Sequence, residues 1–308
     1  MNTPSSAVPE SPLGGQAAAP AAMSATRPLY WSIRRDLWEN HSIYIAPLAV
    51  AAVVLLGFLI GAIFMPAHMR DISLLDPAQQ GPALAKRYLA TAMPLLLTGF
   101  LVAVFYCLDA LHSERRDRTI LFWKSLPVSD FTTVLSKAII VLVVLPLVTF
   151  AVIVALQLII LLLSTPITLL KGLSVAPLWT RLPVLRMWLL AFYGLAVLAL
   201  WHAPIYGWLL LVSGWARRAT FLWALLPPLA VGVVERIGFG TWHFASLVKS
   251  RVFGDFGGAF NPHDMTADGL PGLEPLNFLS SPGLWIGLAV ALAFFAAAVR
   301  LRRYREPI

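Results

Sequence analysis

The sequence predicts an all-α membrane protein with six transmembrane helices. Of its 308 residues, 59% are hydrophobic and only 12% are charged, about half the ~25% charged fraction of an average soluble domain. Several apolar runs reach the ~20 residues that a helix needs to cross a hydrocarbon core of ~30 Å. Because these runs recur along the whole chain, lipid is the expected solvent for most of it.

The chain begins with a polar tail that precedes the first apolar run. Residues 1–26 are rich in Ala, Pro and Ser, and Glu10 is their one charged residue. They have neither a basic start nor a continuous apolar stretch, which predicts a disordered cytoplasmic tail and not a signal peptide. Residues 27–41 mix aromatic and basic side chains, a pattern typical of an amphipathic helix at the membrane surface. Tyr30, Trp31 and Trp38 would then lie at headgroup depth.

The six predicted spans follow this surface helix. They cover residues 43–65, 88–111, 134–163, 187–213, 219–234 and 284–299. The fifth is short and contains Pro227 and Pro228. The loop 236–281 combines a Gly-rich apolar part with several aromatic residues, which predicts short helices that either dip into the outer leaflet or pack over the mouth of the bundle. In the first span, Gly57 and Gly61 have the small-xxx-small spacing that lets helices approach closely.

The distribution of basic residues predicts the orientation. With both termini inside, the cytoplasmic segments hold fourteen Lys and Arg residues, whereas the longer outer loops hold nine. Short cytoplasmic loops of membrane proteins carry such an excess. The formal net charge of +8 is therefore explained by basic residues that mark the cytoplasmic side, and no nucleic-acid partner is expected.

Motifs for enzymatic chemistry are absent from the sequence. It contains no phosphate-binding loop ending in Gly-Lys-Ser/Thr, no two-histidine zinc helix and no dinucleotide fingerprint. A single cysteine, Cys107, excludes an intrachain disulfide. We therefore expect neither a cofactor nor a metal in this chain, and no ATP hydrolysis by it alone.

The fourth predicted span contains the polar residues of interest inside the membrane. His202 next to Pro204 is a polar group at a potential kink, which in a transporter could gate or line a path. A histidine bonded to a neighbouring helix is the simpler interpretation. Ser213 with His202 as base would suggest an intramembrane serine protease, but Leu211 stands where such enzymes have a glycine.

The segment 113–131, between the second and third spans, is the most informative part of the sequence. Charges crowd its first half, and a compact apolar cluster with helical spacing follows before Pro127 ends the pattern. An amphipathic helix in the cytosol must bury its apolar face. It either lies on the lipid surface or docks into a groove of a partner protein.

This segment resembles the first cytoplasmic loop of bacterial ABC transporter permeases of the ABC-2 type. In that family, a Glu-Arg-x-x-Gly-Thr start leads through a short helix to Leu-Pro-Val/Ile-Ser and then to a Lys before the third span. Arg118 stands in this chain where glycine is usual. The residues that carry the resemblance are Glu114, Asp117, Thr119, Ile120, Leu126, Pro127, Val128, Ser129 and Lys137. The layout of six spans with a long outer loop between spans 5 and 6 is also that family's layout.

The resemblance implies a permease domain over residues 27–308, in the bacterial plasma membrane, that pairs with a second permease chain. The segment 113–131 would contain a coupling helix that binds a separate cytoplasmic ABC ATPase, in which ATP and Mg²⁺ bind. The complex would export an amphiphilic, lipid-like or peptide-like substrate. The expected ATPase-coupling residues are a charged rim of Glu114, Arg115, Arg116 and Arg118 and the apolar Ile120, Phe122, Trp123 and Leu126, with Ile120, Phe122 and Trp123 as anchors.

Two alternatives belong to other functional classes. A non-transporting scaffold or sensor could use the same amphipathic segment only to recruit a cytoplasmic partner. An ion-coupled carrier would work without ATP, but such carriers place ionisable residues at mid-membrane depth. Gln157 and His202 are nearly the only polar candidates there.

Overall fold

Six helices of the computed structural model are long and apolar enough to cross a bilayer. They lie within Ser42–Gly61, Ala78–Arg116, Asp130–Leu170, Val184–Trp201, Thr220–Phe239 and Pro282–Tyr304. The structure describes residues 26–63, 70–72, 74–117, 129–254, 256–265 and 270–304. The prediction of a multi-pass, all-α membrane protein with six spans is therefore confirmed. The predicted tail lies outside the described residues except for Thr26.

The first half of the chain supplies three spans and two shorter helices, α1 and α4. Its helices are α1 (Thr26–Glu39), α2 (Ser42–Gly61), α3 (Pro77–Asp109), α4 (His112–Arg116), α5 (Asp130–Ile139) and α6 (Leu145–Leu170). Ser129 caps α5, because its Oγ accepts a hydrogen bond from Thr132 N at 3.1 Å. A π-turn over Ile140–Val144 joins α5 to α6 without a break. Pro146 follows this turn and lacks the N–H of a regular helical ladder, which accounts for the local irregularity.

The second half adds three more spans and the long loop between the last two. Its elements are α7 (Ala176–Thr180), α8 (Val184–Trp201), α9 (Ala203–Trp215), α10 (Thr220–Phe239), α11 (His243–Phe253), β1 (Phe260–Met265), β2 (Pro271–Leu273), α12 (Pro275–Ser280) and α13 (Pro282–Tyr304). Helix α10 ends at Gly240, whose φ of 70° is the left-handed conformation that glycine adopts at helix ends. The short helices predicted within the loop 236–281 are present as α11 and α12. The antiparallel pair β1–β2 between them was not predicted.

The predicted fourth span is two helices in series. Helix α8 ends at Trp201 and α9 begins at Ala203, with the buried His202 between them. Pro204 causes the break, since a proline inside a helix removes a backbone bond and clashes with the carbonyl four residues earlier. Helix α9 packs closely along α13. A Cβ on Gly207 would lie 3.2 Å from Ala291 O, so glycine permits this approach.

The two largest apolar clusters lie at different levels of the bundle. One is built mainly from α3, α6 and α8 and includes Leu95, Ile153 and Met187. The other includes Ile140 and Leu210 and lies nearer to α1. Because each cluster joins helices that are distant in sequence, the spans form one bundle and not a set of independent hairpins.

Candidate functional site

Six charged side chains converge where α1, α4, α5 and α13 meet. We call this group the ionic cluster: Asp36 and Arg35 of α1, Glu114 of α4, Asp130 and Lys137 of α5, and Arg302 of α13. In the sequence, its members Glu114 and Asp130 flank the segment 118–128, which falls outside the described residues. The cluster contains three carboxylates and three cations, so it is formally neutral.

Glu114 is the centre of the ionic cluster. It is only 3% exposed, and its Oε1 lies 3.0 Å from Lys137 Nζ. Arg302 Nη1 donates to its other oxygen, Oε2, and Arg35 Nη2 lies 3.7 Å from Oε1. A buried carboxylate is costly unless cations and hydrogen bonds compensate it. Three cations from three different helices provide that compensation for Glu114.

Asp36 binds the same lysine from the other side. Lys137 Nζ lies 3.4 Å from both carboxylate oxygens of Asp36, and the hydroxyls of Ser136 and Tyr106 donate to Oδ2 at 3.5 Å. Burial raises the pKa of Asp36 above its ordinary value, although the Lys137 ammonium acts in the opposite direction. These contacts are longer than those of Glu114, which makes Asp36 the weaker of the two buried acids.

Arg302 joins two described residues that stand before and after the segment 118–128 in the sequence. Its Nη1 binds Glu114, four residues before the segment, and its Nε donates to Asp130 Oδ1 at 3.1 Å, two residues after it. Arg302 is 5% exposed. Glu114 and Asp130, which flank the segment in the sequence, are therefore both bound to the C-terminal helix α13 by one guanidinium.

Helix α4 is also bonded to the end of α9. Arg115 Nη1 donates to Gly214 O at 2.9 Å and to Ala216 O at 3.3 Å. These carbonyls lie at the C-terminus of α9, where a cation is favoured by the helix dipole and by unpaired acceptors. Ser213 Oγ accepts from the backbone N–H groups of Leu111 and His112 at 3.0 and 2.9 Å. The residues leading into 118–128 are thus fixed on two sides.

Two of the four residues predicted to form the charged rim are buried in the structure. Glu114 and Arg115 were expected at an exposed rim, but both are buried, because the bonds above hold them against α9 and α13. Arg116 is exposed and lies 3.0 Å from Asp117. The other four residues of the predicted coupling set, Ile120, Phe122, Trp123 and Leu126, lie with Arg118 outside the described residues.

His202 lies at the α8–α9 break, in the interior. Its Nδ1 is 2.8 Å from Leu198 O, and its ring lies near those of Phe100 and Phe256, with centroid distances of 5.0 and 6.2 Å. It precedes Ser213 by eleven positions, about 16 Å at helical rise, so the two side chains do not form a nucleophile–base pair. Pro204 is in the first turn of α9. Both His202 and Pro204 therefore lie at the junction between α8 and α9.

We expect Ser213→Ala to destabilise the protein. The substitution leaves the N–H groups of Leu111 and His112 without their acceptor, which costs about 1–3 kcal/mol for a buried group. The measurement is the apparent melting temperature of the detergent-solubilised protein. Ser280→Ala, at an exposed position, is the matched control and should leave it unchanged. An equal melting temperature for both variants would contradict the anchoring role of Ser213.

Comparison of the chain with protein-family models, curated proteins and solved structures finds no match. Within the described residues, no group of three or more His, Cys, Asp and Glu side chains is arranged to hold a metal ion. The class of protein that the fold defines is therefore a multi-pass, all-α membrane protein with a buried ionic cluster at one end.

Proposed function

We propose that this protein is the membrane subunit of an ATP-driven exporter of the ABC-2 type. In this proposal, the end that carries the ionic cluster faces the cytoplasm, and the segment 118–128 docks onto a separate ATPase subunit. The resemblance of residues 114–137 to the coupling loop of that family supports it, and so do the six helices that are long and apolar enough to cross a bilayer. The density of basic residues at this end supports the orientation.

The bridge made by Arg302 is the observation that carries the proposal. A loop that receives a mechanical signal must be held firmly at both ends, and Glu114 and Asp130 share this one buried cation. The same cluster includes α1 through Asp36 and α5 through Lys137. A displacement of the segment 118–128 by the ATPase would therefore move α1, α5 and α13 together, as a shift between two bundle arrangements requires.

The docking surface in this proposal combines apolar anchors with charged neighbours. Ile120, Phe122 and Trp123 supply the large side chains that dominate binding energy at protein interfaces. Arg116 and Asp117 remain exposed beside them and would set orientation and encounter rate more than affinity. Because Glu114 and Arg115 are buried, their role would be to position the segment and not to touch the ATPase.

Two spans offer apolar faces for a second permease chain. In α2 and in α10, only 11% of the residues in the most apolar stretch are buried inside the protein. These are the lowest buried shares among the six spans described. Leu56 and Ile60 of α2 and Leu225 and Leu229 of α10 are more than half exposed. Both helices pack against α3. Pairing of two copies through these helices fits the dimer that the family resemblance implies.

The proposal is tested by purification of the tagged chain in mild detergent, with mass identification of its partners and an ATPase assay. We expect an ATP-binding subunit to co-purify and its turnover to change when the chain is removed. A recruited partner that is not an ATPase would favour the scaffold or sensor alternative. Purification of the chain alone, under conditions that preserve other membrane complexes, would overturn the exporter proposal.

A further inference from the structure

A cavity of about 280 Å³ lies far from the ionic cluster. We call it the far-end cavity. It is lined by α2, α3 and α6, with Gly61, Leu84 and Ile160 among its walls. Arg87 also lines it. Along α3, Arg87 is about 33 Å at helical rise from the end of the helix at Asp109. This distance exceeds the thickness of a hydrocarbon core, ~30 Å. The far-end cavity and the ionic cluster therefore lie at opposite sides of the membrane.

The walls of the far-end cavity are mostly apolar, with polar groups on one side. Ser164 is fully buried and donates to Ile160 O at 2.6 Å. The Tyr88 hydroxyl lies 3.4 Å from Ser164 Oγ, a long contact for two hydroxyls. The hydroxyl of Tyr88 is thus able to donate to a ligand without breaking a strong bond.

Arg87 provides the charge at the opening. Gly61 and Arg87 are the exposed residues of the lining, so the opening lies beside them. Within the described residues, Arg87 has no ion pair or hydrogen bond. A guanidinium binds carboxylate and phosphate groups through two parallel hydrogen bonds. An apolar cavity with a guanidinium at its opening is complementary to an anionic amphiphile.

We propose that the far-end cavity binds an anionic phospholipid of the adjacent leaflet, with part of an acyl chain inside and the phosphate on Arg87. The volume corresponds to about nine water-sized groups, which matches a stretch of acyl chain and not a whole lipid. The rest of the acyl chain extends along the exposed apolar face of α2. Tyr88 donates to the headgroup or its ester oxygens. The inference concerns lipid binding alone and does not depend on the proposed ATPase.

Gly61 offers a way to fill the cavity without disturbing the fold. A Cβ at Gly61 meets no atom within 4 Å, and leucine is a better helix former than glycine. Gly61→Leu therefore places a side chain in the cavity at little structural cost. Gly57→Leu is the matched control, because Gly57 lies one turn earlier on the same helix face, has equal space and does not line the cavity.

The experiment uses the purified full-length chain and a phosphatidylglycerol whose acyl chain carries a photoactivatable group. Cross-links are mapped by mass spectrometry, and phosphatidylcholine with the same acyl chain is the second probe. We expect phosphatidylglycerol to label the cavity walls. Gly61→Leu should lower this labelling about tenfold, and Gly57→Leu should not.

The headgroup contact has its own pair of variants. Arg87→Gln should lower phosphatidylglycerol labelling about tenfold, the factor for loss of one charge-assisted contact, and leave phosphatidylcholine labelling unchanged. Lys86→Gln, an adjacent exposed cation outside the cavity lining, should have no effect. Arg87 is exposed, so this variant remains informative even if Gly61→Leu fails to fold. The proposal would be overturned if the cross-linked residues were simply the most exposed ones. It would also be overturned if the two lipids labelled the cavity equally and Arg87→Gln changed neither labelling.

Discussion

Glu114→Gln is expected to produce the largest loss of stability of any single substitution in the ionic cluster. The amide keeps the shape but removes the charge that compensates Lys137 and Arg302, which remain buried. Removal of one partner of a buried ion pair costs about 3–5 kcal/mol. For a protein of this size we expect the apparent melting temperature in detergent to fall by roughly 10 °C.

Two comparisons make this prediction specific. Asp117→Asn removes an exposed carboxylate three residues later and should leave the melting temperature unchanged. The double variant Glu114→Gln with Arg302→Gln should lose less stability than the two single losses added together, because the two side chains share one bond. Additive losses would show that Glu114 and Arg302 act independently, which is incompatible with a shared ionic cluster.

Asp36→Asn should be milder than Glu114→Gln. The contacts of Asp36 with Lys137 measure 3.4 Å, against 3.0 Å for Glu114. Burial also raises the pKa of Asp36, which means that the protein already disfavours its charged form. The neutral amide removes that unfavourable burial of charge and offsets part of the lost attraction. The ranking of the two variants is measured in the same melting experiment.

The double substitution Ile120→Ala with Trp123→Ala is expected to release the ATPase while the chain stays in the membrane. Truncation of an interface anchor costs about 2 kcal/mol or more, so two anchors correspond to a loss of affinity of about a hundredfold or more. The measurement is the amount of ATPase subunit that co-purifies with equal amounts of each permease variant. Membrane insertion is checked by recovery of the monomer peak in detergent.

Leu169→Ala with Trp179→Ala is the matched control for this double substitution. Both side chains are more than half exposed and lie at the far end of the bundle, near the far-end cavity. The control removes one aliphatic and one Trp side chain without touching the proposed docking surface, so the ATPase should remain bound. Loss of insertion in the Ile120 and Trp123 variant would mean that the segment is structural.

Hydropathy was sufficient to predict the spans, because each needs about 20 apolar residues regardless of what it packs against. A potential kink at Pro204 was predicted, but neither the full break between α8 and α9 nor the strands β1 and β2 were. The first depends on how a proline is accommodated in one particular helix. The second depends on pairing between Phe260 and Leu273, which local sequence patterns do not specify.

The candidate site was only partly predictable. Glu114 and Lys137 were selected through the family resemblance, but Asp36, Asp130 and Arg302 were not. Arg302 is 188 residues from Glu114, and a charge at the end of an apolar run is ordinarily a topology signal. The available clue was Asp36, an acidic residue among the basic and aromatic residues of α1. Burial of Glu114 and Arg115 follows from tertiary pairing, which the sequence of the segment alone does not encode.

Thiol labelling can decide whether the end carrying the ionic cluster faces the cytoplasm and docks an ATPase. Cys107 is fully buried, so in a Cys107→Ser background Arg116→Cys provides a single exposed thiol beside the segment 118–128. Trp179→Cys provides one at the far end. We expect a membrane-impermeant maleimide to label Arg116→Cys only in inverted vesicles, and the bound ATPase to protect it. Trp179→Cys should be labelled only in intact cells. Labelling of Arg116→Cys from outside, or labelling that is equal with and without the ATPase, would refute the exporter proposal.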